Sequence, residues 1–195
     1  MRTRDIDKEN LVKQKAIELI VKEGLEGFSM NKLAKACKIS VNTLYIYYKD
    51  RDDLITKIAC EEGKRISDAM IGEFDADAGF EEGLRAQWKT RYKYLIDKPL
   101  LTSFFDQLQS STYQQSFTSA INGYKDMVSR FVQKAVDRGE IGKLPLEVYW
   151  ALAFAPLYTL ITFHHKGQGP AGKPFKMNDK QLWKTFDLVV KALKK

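Results

Sequence analysis

Apolar residues recur along most of the chain at intervals of three and four, the spacing that places side chains on one face of an α-helix. Near the N-terminus this spacing is set by Val12, Ala16, Leu19 and Ile20. The short runs of β-branched residues do not sustain the alternation of apolar and polar positions that marks a half-buried strand. The sequence therefore predicts an all-α protein.

These intervals, together with the residues that cap or break helices, predict nine helices. The first ends within 24–27, the second covers 29–36, the third 40–47, the fourth begins at 50, the fifth covers 80–95, a short sixth follows Pro99, the seventh runs unbroken from about 117 to 138, the eighth covers 146–165, and the ninth carries the apolar positions of 182–193. Residues 75–79 are expected to separate two domains.

The composition indicates a soluble, cytoplasmic protein with no membrane partner. The most apolar uncharged stretch, 148–163, is shorter than the roughly 20 apolar residues that span a bilayer, and Pro156 interrupts it. The polar N-terminus has no apolar signal region. The two cysteines, Cys37 and Cys60, have no paired spacing, which fits a reducing compartment.

Segment 28–54, FSMNKLAKACKISVNTLYIYYKDRDDL, carries the clearest functional signal. Ser29 and Ser40 are each placed to cap a short helix, and only residues 37–39 separate the two helices. A connection of that length sets the helices at the steep angle of a helix-turn-helix, whose second helix enters the major groove of DNA. The alternative is an ordinary helical hairpin with no role in DNA binding.

The second helix of this segment is expected to expose side chains suited to DNA. Hydroxyl groups bind phosphate oxygens, Asn42 can pair with an adenine edge, and Val41 can touch a thymine methyl group. Cations follow at the start of the next helix, where free backbone N–H groups also attract phosphate. The predicted DNA-binding residues are Ser29, Lys38, Ser40, Val41, Asn42, Thr43, Tyr45, Tyr47, Lys49 and Arg51.

Residues 33–54 resemble the DNA-binding domain of the TetR family of bacterial transcriptional regulators. The family pattern contains a Thr-Leu-Tyr-x-Tyr core, which lies here at residues 43–47. The resemblance implies that Thr43 and Tyr47 contact phosphates. It also implies that Tyr45 and residues 40–42 face the groove, and that the cation at the start of the fourth helix contacts the DNA backbone.

Four positions depart from the family pattern, namely Cys37, Lys38, Tyr48 and Arg51. Lys38 stands where glycine is common. If the turn needs a positive φ there, lysine costs about 1–2 kcal/mol, but it also brings a cation near the DNA. Arg51 replaces a lysine, which keeps the charge and changes its geometry. None of these departures removes the implied function.

The resemblance also implies a domain organisation and a partner. Residues 1–50 would bind DNA, 51–74 would form a connecting helix, and 75–195 would bind an effector and dimerise through the last two helices. The eighth helix is apolar on more sides than one chain easily covers, which agrees with a homodimer on a palindromic operator. A monomer that buries both helices in its own core is the alternative. The implied function is a repressor released from DNA by a small hydrophobic effector.

Aromatic residues of the second domain are the candidates for an effector pocket. Tyrosines are favoured because a buried hydroxyl needs a partner that a ligand can supply. Few charges fall on the expected inward faces, which favours an apolar or weakly polar effector. The predicted pocket residues are Trp88, Tyr92, Phe105, Tyr113, Phe117, Tyr124 and Tyr158. The alternative is that these rings form a closed core.

Charge and the remaining motifs add little. Residues 1–54, 55–159 and 160–195 carry +2, −1 and +6, so the net charge of +7 reflects C-terminal lysines, which indicate a solvated helix face. His164 and His165 are adjacent on a helix and point about 100° apart, with no further ligand nearby. We therefore expect no metal, no cofactor and no catalytic residues.

Two other classes of function stay open on the sequence alone. A small helical enzyme or binding protein would use the aromatic pocket, and an enzyme would require acid–base groups that converge inside it. A structural DNA-binding protein without effector control would lack an internal cavity.

Overall fold

The computed structural model describes residues 2–72 and 74–195, with side chains from Asp7 onward. The helices are α1 (Arg2–Gly27), α2 (Met30–Cys37), α3 (Val41–Tyr47), α4 (Arg51–Ile71), α5 (Phe80–Leu95), α6 (Pro99–Gln109), α7 (Gln114–Ala120), α8 (Asn122–Asp137), α9 (Leu146–Lys166) and α10 (Asp179–Leu193). The described ranges contain isolated bridges but no strand, so the all-α prediction is confirmed.

The prediction of one unbroken seventh helix is wrong, because α7 and α8 are separate helices. Ile121 leaves the helical conformation, with φ −102° and ψ 5°, and two weak helix formers, Asn122 and Gly123, follow it. Apolar spacing concealed the break because it continues across the junction. Phe117 on one side and Tyr124 on the other are both buried, but they belong to different compact units.

The first compact unit comprises Met1–Arg65 and Leu100–Ala120. Its core includes Ala16, Ile20, Leu33, Leu44, Leu54, Ile55, Phe104 and Leu108. Gly24, with φ 77°, breaks the helical path near the end of α1, a backbone conformation that glycine adopts without strain. Residues 100–120 thus belong to the same compact unit as the N-terminal helices. The functional domain boundaries predicted at residues 50 and 75 stay predictions.

The second compact unit comprises Ile66–Pro99 and Ile121–Lys195. Its fully buried side chains include Phe80, Trp88, Phe131, Phe154 and Phe186. The indole Nε1 of Trp88 donates to the carbonyl oxygen of Ala153 at 2.7 Å, which ties α5 to α9. The two last helices, α9 and α10, pack side by side in this unit.

Helix α9 buries one face and leaves the other exposed within a single chain. Tyr149, Ala153, Phe154, Leu157 and Ile161 form the buried face. Val148 and Leu152 on the opposite face are each 42% exposed. By length and composition alone, α9 is the one helix in the described ranges that could cross a membrane. Core helices of soluble proteins have the same composition, so this finding has little weight.

Candidate nucleic-acid interface and effector site

Two serines begin the helices of the predicted helix-turn-helix. The Ser29 hydroxyl accepts from the backbone N–H of Lys32 at 3.3 Å and begins α2. The Ser40 hydroxyl accepts from the backbone N–H of Thr43 at 3.2 Å and begins α3. Its oxygen also lies 2.9 Å from the Thr43 hydroxyl. The structure therefore places both serines as helix caps, which satisfies backbone donors that would otherwise lack partners.

The turn between α2 and α3 is a Schellman arrangement built on a left-handed residue. Lys38 adopts φ 56° and ψ 41° and donates from its backbone to Lys35 O at 3.2 Å. Ile39 donates to Ala34 O at 3.0 Å. Lys38 is the only non-glycine residue with positive φ in the described chain. The turn therefore does need a positive φ at the position where the family commonly has glycine.

Lys38→Gly is expected to raise the free energy of unfolding by about 1 kcal/mol, because glycine adopts positive φ without the steric cost that Cβ imposes. Urea unfolding followed by circular dichroism measures the change. Lys38→Ala is the matched control, since it removes the ammonium group and keeps Cβ. If alanine stabilises as much as glycine, the left-handed turn is not the source of the strain.

The outer side of α3 presents a polar and aromatic row. Leu44 and Tyr48 are buried at 0% and 3% exposure and fix the inner side. Tyr45 and Tyr47 are 51% and 42% exposed. The predicted residues Ser40 and Asn42 are also exposed, and Val41 and Thr43 are partly exposed. The structure thus brings the predicted groove-facing residues together on one helix.

Sequence reasoning missed Ile46, which is 75% exposed between the two tyrosines. When a large apolar side chain is this exposed to water and lies within a polar row, it is a candidate contact surface. Its position between Tyr45 and Tyr47, away from the buried Leu44, was the available signal.

The N-terminus of α4 carries its own carboxylates. Asp53 accepts from the backbone N–H of Lys49 at 2.9 Å and from Lys57 Nζ at 2.9 Å. Hydrogen bonds from Lys57 and Lys49 hold the pKa of Asp53 below its ordinary value. The Lys49 side chain itself is exposed, so its ammonium group lies beside α3 on the surface of the first unit.

Arg51 is engaged in contacts within the first unit. Its Nε donates to Phe28 O at 3.2 Å, and Nη2 donates to Leu25 O. Nη1 donates to the Tyr113 hydroxyl at 3.1 Å and to Asp52 Oδ1 at 3.0 Å. The guanidinium therefore ties the start of α4 to the α1–α2 connection and to residue 113. The phosphate contact that the sequence predicts for Arg51 stays a prediction.

The residues predicted for an effector pocket are divided between the two compact units. The first unit holds Phe105, Tyr113 and Phe117, and the rings of Phe105 and Phe117 have centroids 4.9 Å apart. Tyr113 instead donates from its hydroxyl to Asp52 Oδ1 at 2.5 Å. The second unit holds the other predicted residues, Trp88, Tyr92, Tyr124 and Tyr158.

A buried cation that sequence reasoning missed joins two of the predicted tyrosines. Arg91 on α5 is 1% exposed, donates from Nε to the Tyr158 hydroxyl at 3.0 Å, and donates from Nη2 to the Tyr124 hydroxyl. Its Nη1 donates to Gln87 O at 3.3 Å. The guanidinium carbon lies 3.7 Å from the centre of the Phe154 ring, where the aromatic face favours a cation.

The expectation that few charges face inward is therefore wrong at Arg91. The signal was available, because positions 87 and 91 interleave with the apolar positions 84, 88 and 95 on one helical face. Burial alone would lower the pKa of Arg91, but the phenol groups of Tyr124 and Tyr158 raise it above its ordinary value. Burial raises the pKa of Tyr124 to about 12, so a charged guanidinium is bound by neutral phenols.

The adjacent histidines bind backbone groups. His164 Nδ1 accepts from the backbone N–H of Met177 at 3.1 Å, and His165 Nε2 lies 2.9 Å from Ile96 O. Within the described ranges no cluster of three or more His, Cys, Asp or Glu side chains has a metal-binding arrangement. Both rings thus have a structural role in the second unit.

Comparison with known proteins identifies the helix-turn-helix region. The profile described as "Bacterial regulatory proteins, tetR family" matches residues 14–58. An uncharacterized HTH-type transcriptional regulator from Haemophilus influenzae is 32% identical over 92 residues, which are 47% of this chain and 49% of that protein. The chain therefore spans about half the length of this relative.

Solved structures extend the similarity to the whole fold. A TetR family transcription regulator from Marinobacter aquaeolei VT8 superposes with a TM-score of 0.82 at 25% identity, covering 100% of this chain and 99% of that one. The transcriptional regulator FadR from Bacillus subtilis, solved in complex with stearoyl-CoA, gives a TM-score of 0.71 at 18% identity, with 94% and 96% covered. The family and these relatives are transcriptional regulators, not enzymes.

Proposed function

We propose, since this chain belongs to the TetR family of bacterial regulatory proteins, that it binds double-stranded DNA through α2 and α3 and regulates transcription in the cytoplasm. The observation that carries the proposal is the exposed row on α3, held outward by buried Leu44 and Tyr48. A helix of this kind fits the major groove, while the preceding helix crosses the DNA backbone.

The side chains on α3 divide into two groups by chemistry. Asn42 and Val41, at the start of α3, are suited to base edges, because the N-terminal residues of a recognition helix reach the bases. Thr43 and Tyr47 offer hydroxyl groups to phosphates, and exposed Ile46 offers an apolar contact to thymine methyl groups or sugars. This division makes the first turn of α3 the source of sequence preference and the rest a source of affinity.

The remaining cations of the interface act on the DNA backbone. In this proposal Lys38, exposed in the α2–α3 turn, and Lys49, exposed after α3, neutralise phosphates of the DNA backbone. Arg51 acts on DNA indirectly in this proposal, because its donors hold Leu25, Phe28 and Tyr113 and so position the start of α4.

The functional form that we propose is a homodimer through α9 and α10 on a palindromic operator. Val148 and Leu152 on α9 and Leu188 on α10 are 42%, 42% and 60% exposed in one chain, and exposed apolar faces of this kind are typical of interfaces. A two-fold dimer places two recognition helices about one turn of DNA apart, so the same contacts with DNA are made twice, once in each half-site.

We also propose that the protein is a repressor released from its operator when a small, largely apolar molecule binds the second unit. The solved FadR relative, a transcriptional regulator with stearoyl-CoA bound, supports a ligand in a fold of this kind. Release follows from linkage between the two binding sites. A ligand that binds more tightly to a spacing of the recognition helices that does not fit the operator weakens DNA binding by the free energy of that preference.

Tyr47→Phe and Thr43→Ala are each expected to weaken operator binding by about tenfold, because each removes one hydrogen bond to phosphate from both half-sites. Fluorescence anisotropy with a labelled duplex measures the change in Kd. The loss should be similar for specific and shuffled duplexes, since phosphate contacts carry no sequence information.

Tyr48→Phe is the matched control for this experiment. The Tyr48 hydroxyl is buried and has no hydrogen-bond partner in the described structure, and burial raises its pKa to about 12. Its removal should leave DNA affinity unchanged. Equal affinities for Tyr47→Phe, Thr43→Ala and Tyr48→Phe would contradict the proposed orientation of α3 on DNA.

A further inference from the structure

We propose that the Arg91 cluster, comprising Gln87, Arg91, Tyr124, Tyr149 and Tyr158 of the second unit, binds the carboxylate group of a small, otherwise apolar ligand. The regulatory meaning of this ligand rests on the proposed function, where it is the effector. Its binding does not depend on DNA.

The guanidinium of Arg91 has donors to spare. An arginine carries five N–H groups, and three of them are accepted by Tyr158, Tyr124 and Gln87 O. One N–H on each terminal nitrogen has no acceptor in the described chain, and no described carboxylate forms an ion pair with this residue. Burying a cation without an anion costs desolvation free energy, and a bound anion at this site would offset that cost.

Two further polar atoms near Arg91 are buried without partners. The Gln87 amide nitrogen Nε2 has no hydrogen bond, although Gln87 Oε1 accepts from the Tyr124 hydroxyl at 3.0 Å. The Tyr149 hydroxyl is also buried and unpartnered. The Tyr149 ring packs on the Phe154 ring with centroids 6.1 Å apart, and the Arg91 guanidinium carbon lies 3.7 Å from the centre of the same Phe154 ring, so both side chains border one ring.

The unmet groups share one chemical character. Arg91 and the Gln87 amide nitrogen are hydrogen-bond donors without acceptor capacity, and the Tyr149 hydroxyl can donate. A group that only accepts hydrogen bonds matches this character, and an ionised carboxylate is such a group. It matches the planar fork of arginine and forms charge-assisted hydrogen bonds.

The surroundings distinguish a carboxylate from a phosphate and define the rest of the ligand. One guanidinium balances one negative charge, whereas a phosphate dianion would leave a buried charge uncompensated. The cluster is bordered by the rings of Phe154 and Trp150, whose centroids are 5.1 Å apart. Trp150 and Tyr158 are partly exposed, which marks the side from which an apolar ligand carrying a single carboxylate would enter.

The test is calorimetric titration of the full-length protein, without DNA, with straight-chain and aromatic monocarboxylates, each paired with its primary amide. The amide keeps the shape of the acid and removes its charge. We expect at least one acid to bind about tenfold or more tightly than its amide, because hydrogen bonds to charged groups are the stronger ones. Arg91→Met should abolish this preference, and Tyr149→Phe should reduce the acid's affinity several-fold.

Tyr48→Phe is the control, because it removes an equally buried and unpartnered hydroxyl from the first unit. It should bind the acids as the wild type does. The thermal midpoint without ligand gives an independent readout. Arg91→Met should leave it unchanged or raise it, since the substitution removes a charge that the apo protein buries without an anion.

Three outcomes would overturn the proposal. They are the absence of any acid preference in the wild type, an acid preference that survives Arg91→Met, and a large drop in the thermal midpoint of Arg91→Met, which would make the guanidinium a structural element. If Arg91→Met does not fold, Tyr149→Phe and Gln87→Leu decide by the same acid–amide comparison. An anisotropy titration with DNA on the same preparations shows separately whether the proposed DNA binding fails.

Discussion

Leu152→Glu is expected to make the protein monomeric and to weaken its binding to a duplex with two half-sites by about a hundredfold or more. Leu152 is 42% exposed on the face of α9 opposite the buried Ala153 and Phe154. In the proposed dimer this face is covered by the partner, and a carboxylate there would be desolvated without a counter-ion. Each monomer then binds one half-site, so the gain from linking two recognition helices is lost.

Light scattering after size exclusion measures the oligomeric state, and anisotropy measures Kd on duplexes with one and two half-sites. Leu100→Glu is the matched control, because Leu100 on α6 is 45% exposed and belongs to the first unit, whereas Leu152 belongs to the second. It should remain dimeric with unchanged affinity. A Leu152→Glu variant that stays dimeric and binds the two-site duplex normally would contradict the α9 interface.

Gly83→Ala is expected to lower the free energy of unfolding by about 1–2 kcal/mol net of the roughly 1 kcal/mol by which alanine favours a helix over glycine. A Cβ at position 83 would lie 2.4 Å from Phe131 Cε2 and 2.8 Å from Phe131 Cζ. Phe131 is fully buried and packs on Phe80 and Phe74, with ring centroids at 6.1 and 5.3 Å. The ring has little room to retreat, and overpacking of a closed core typically costs 1–3 kcal/mol or more.

Urea unfolding followed by circular dichroism checks this value, with Gly123→Ala as the control. Gly123 lies in α8 of the same unit, and a Cβ there would meet no atom within 4 Å. Gly123→Ala should therefore stabilise by about 0.5–1 kcal/mol through helix propensity alone. If both substitutions stabilise, α5 does not approach Phe131 as closely as the structure indicates.

The helix-turn-helix could be predicted from the sequence because its determinants are local. Ser29 and Ser40 cap helices that begin one residue later, and the apolar positions between them pack within a short segment. The possibility of a positive φ at Lys38 also followed from the local turn, and the observed φ of 56° agrees with it. Such signals depend on neighbours a few residues apart, which a single sequence displays.

The sequence could not show where long-range contacts decide the role of a side chain. The phosphate contact predicted for Arg51 stays a prediction, but the sequence did not reveal that residue 113, distant along the chain, accepts one of its hydrogen bonds. Arg91 was overlooked because arginine is usually exposed, and its partners Tyr124 and Tyr158 lie on α8 and α9. The position of Arg91 among the apolar residues of α5 indicated burial, but its pairing with residues of other helices leaves no signal in the sequence. The break at Ile121 was hidden for a related reason, since both flanking helices keep apolar spacing.

Sequence-preferring DNA binding is the central claim, and a salt titration of operator binding tests it most directly. A labelled duplex from upstream of the gene that encodes this chain is compared with a shuffled duplex between 50 and 200 mM salt. We predict tighter binding to the upstream duplex and a loss of affinity of about a thousandfold over this range, as expected for roughly six or more phosphate contacts. No binding to either duplex at 50 mM salt would contradict the assignment of α2 and α3 as a DNA-binding element.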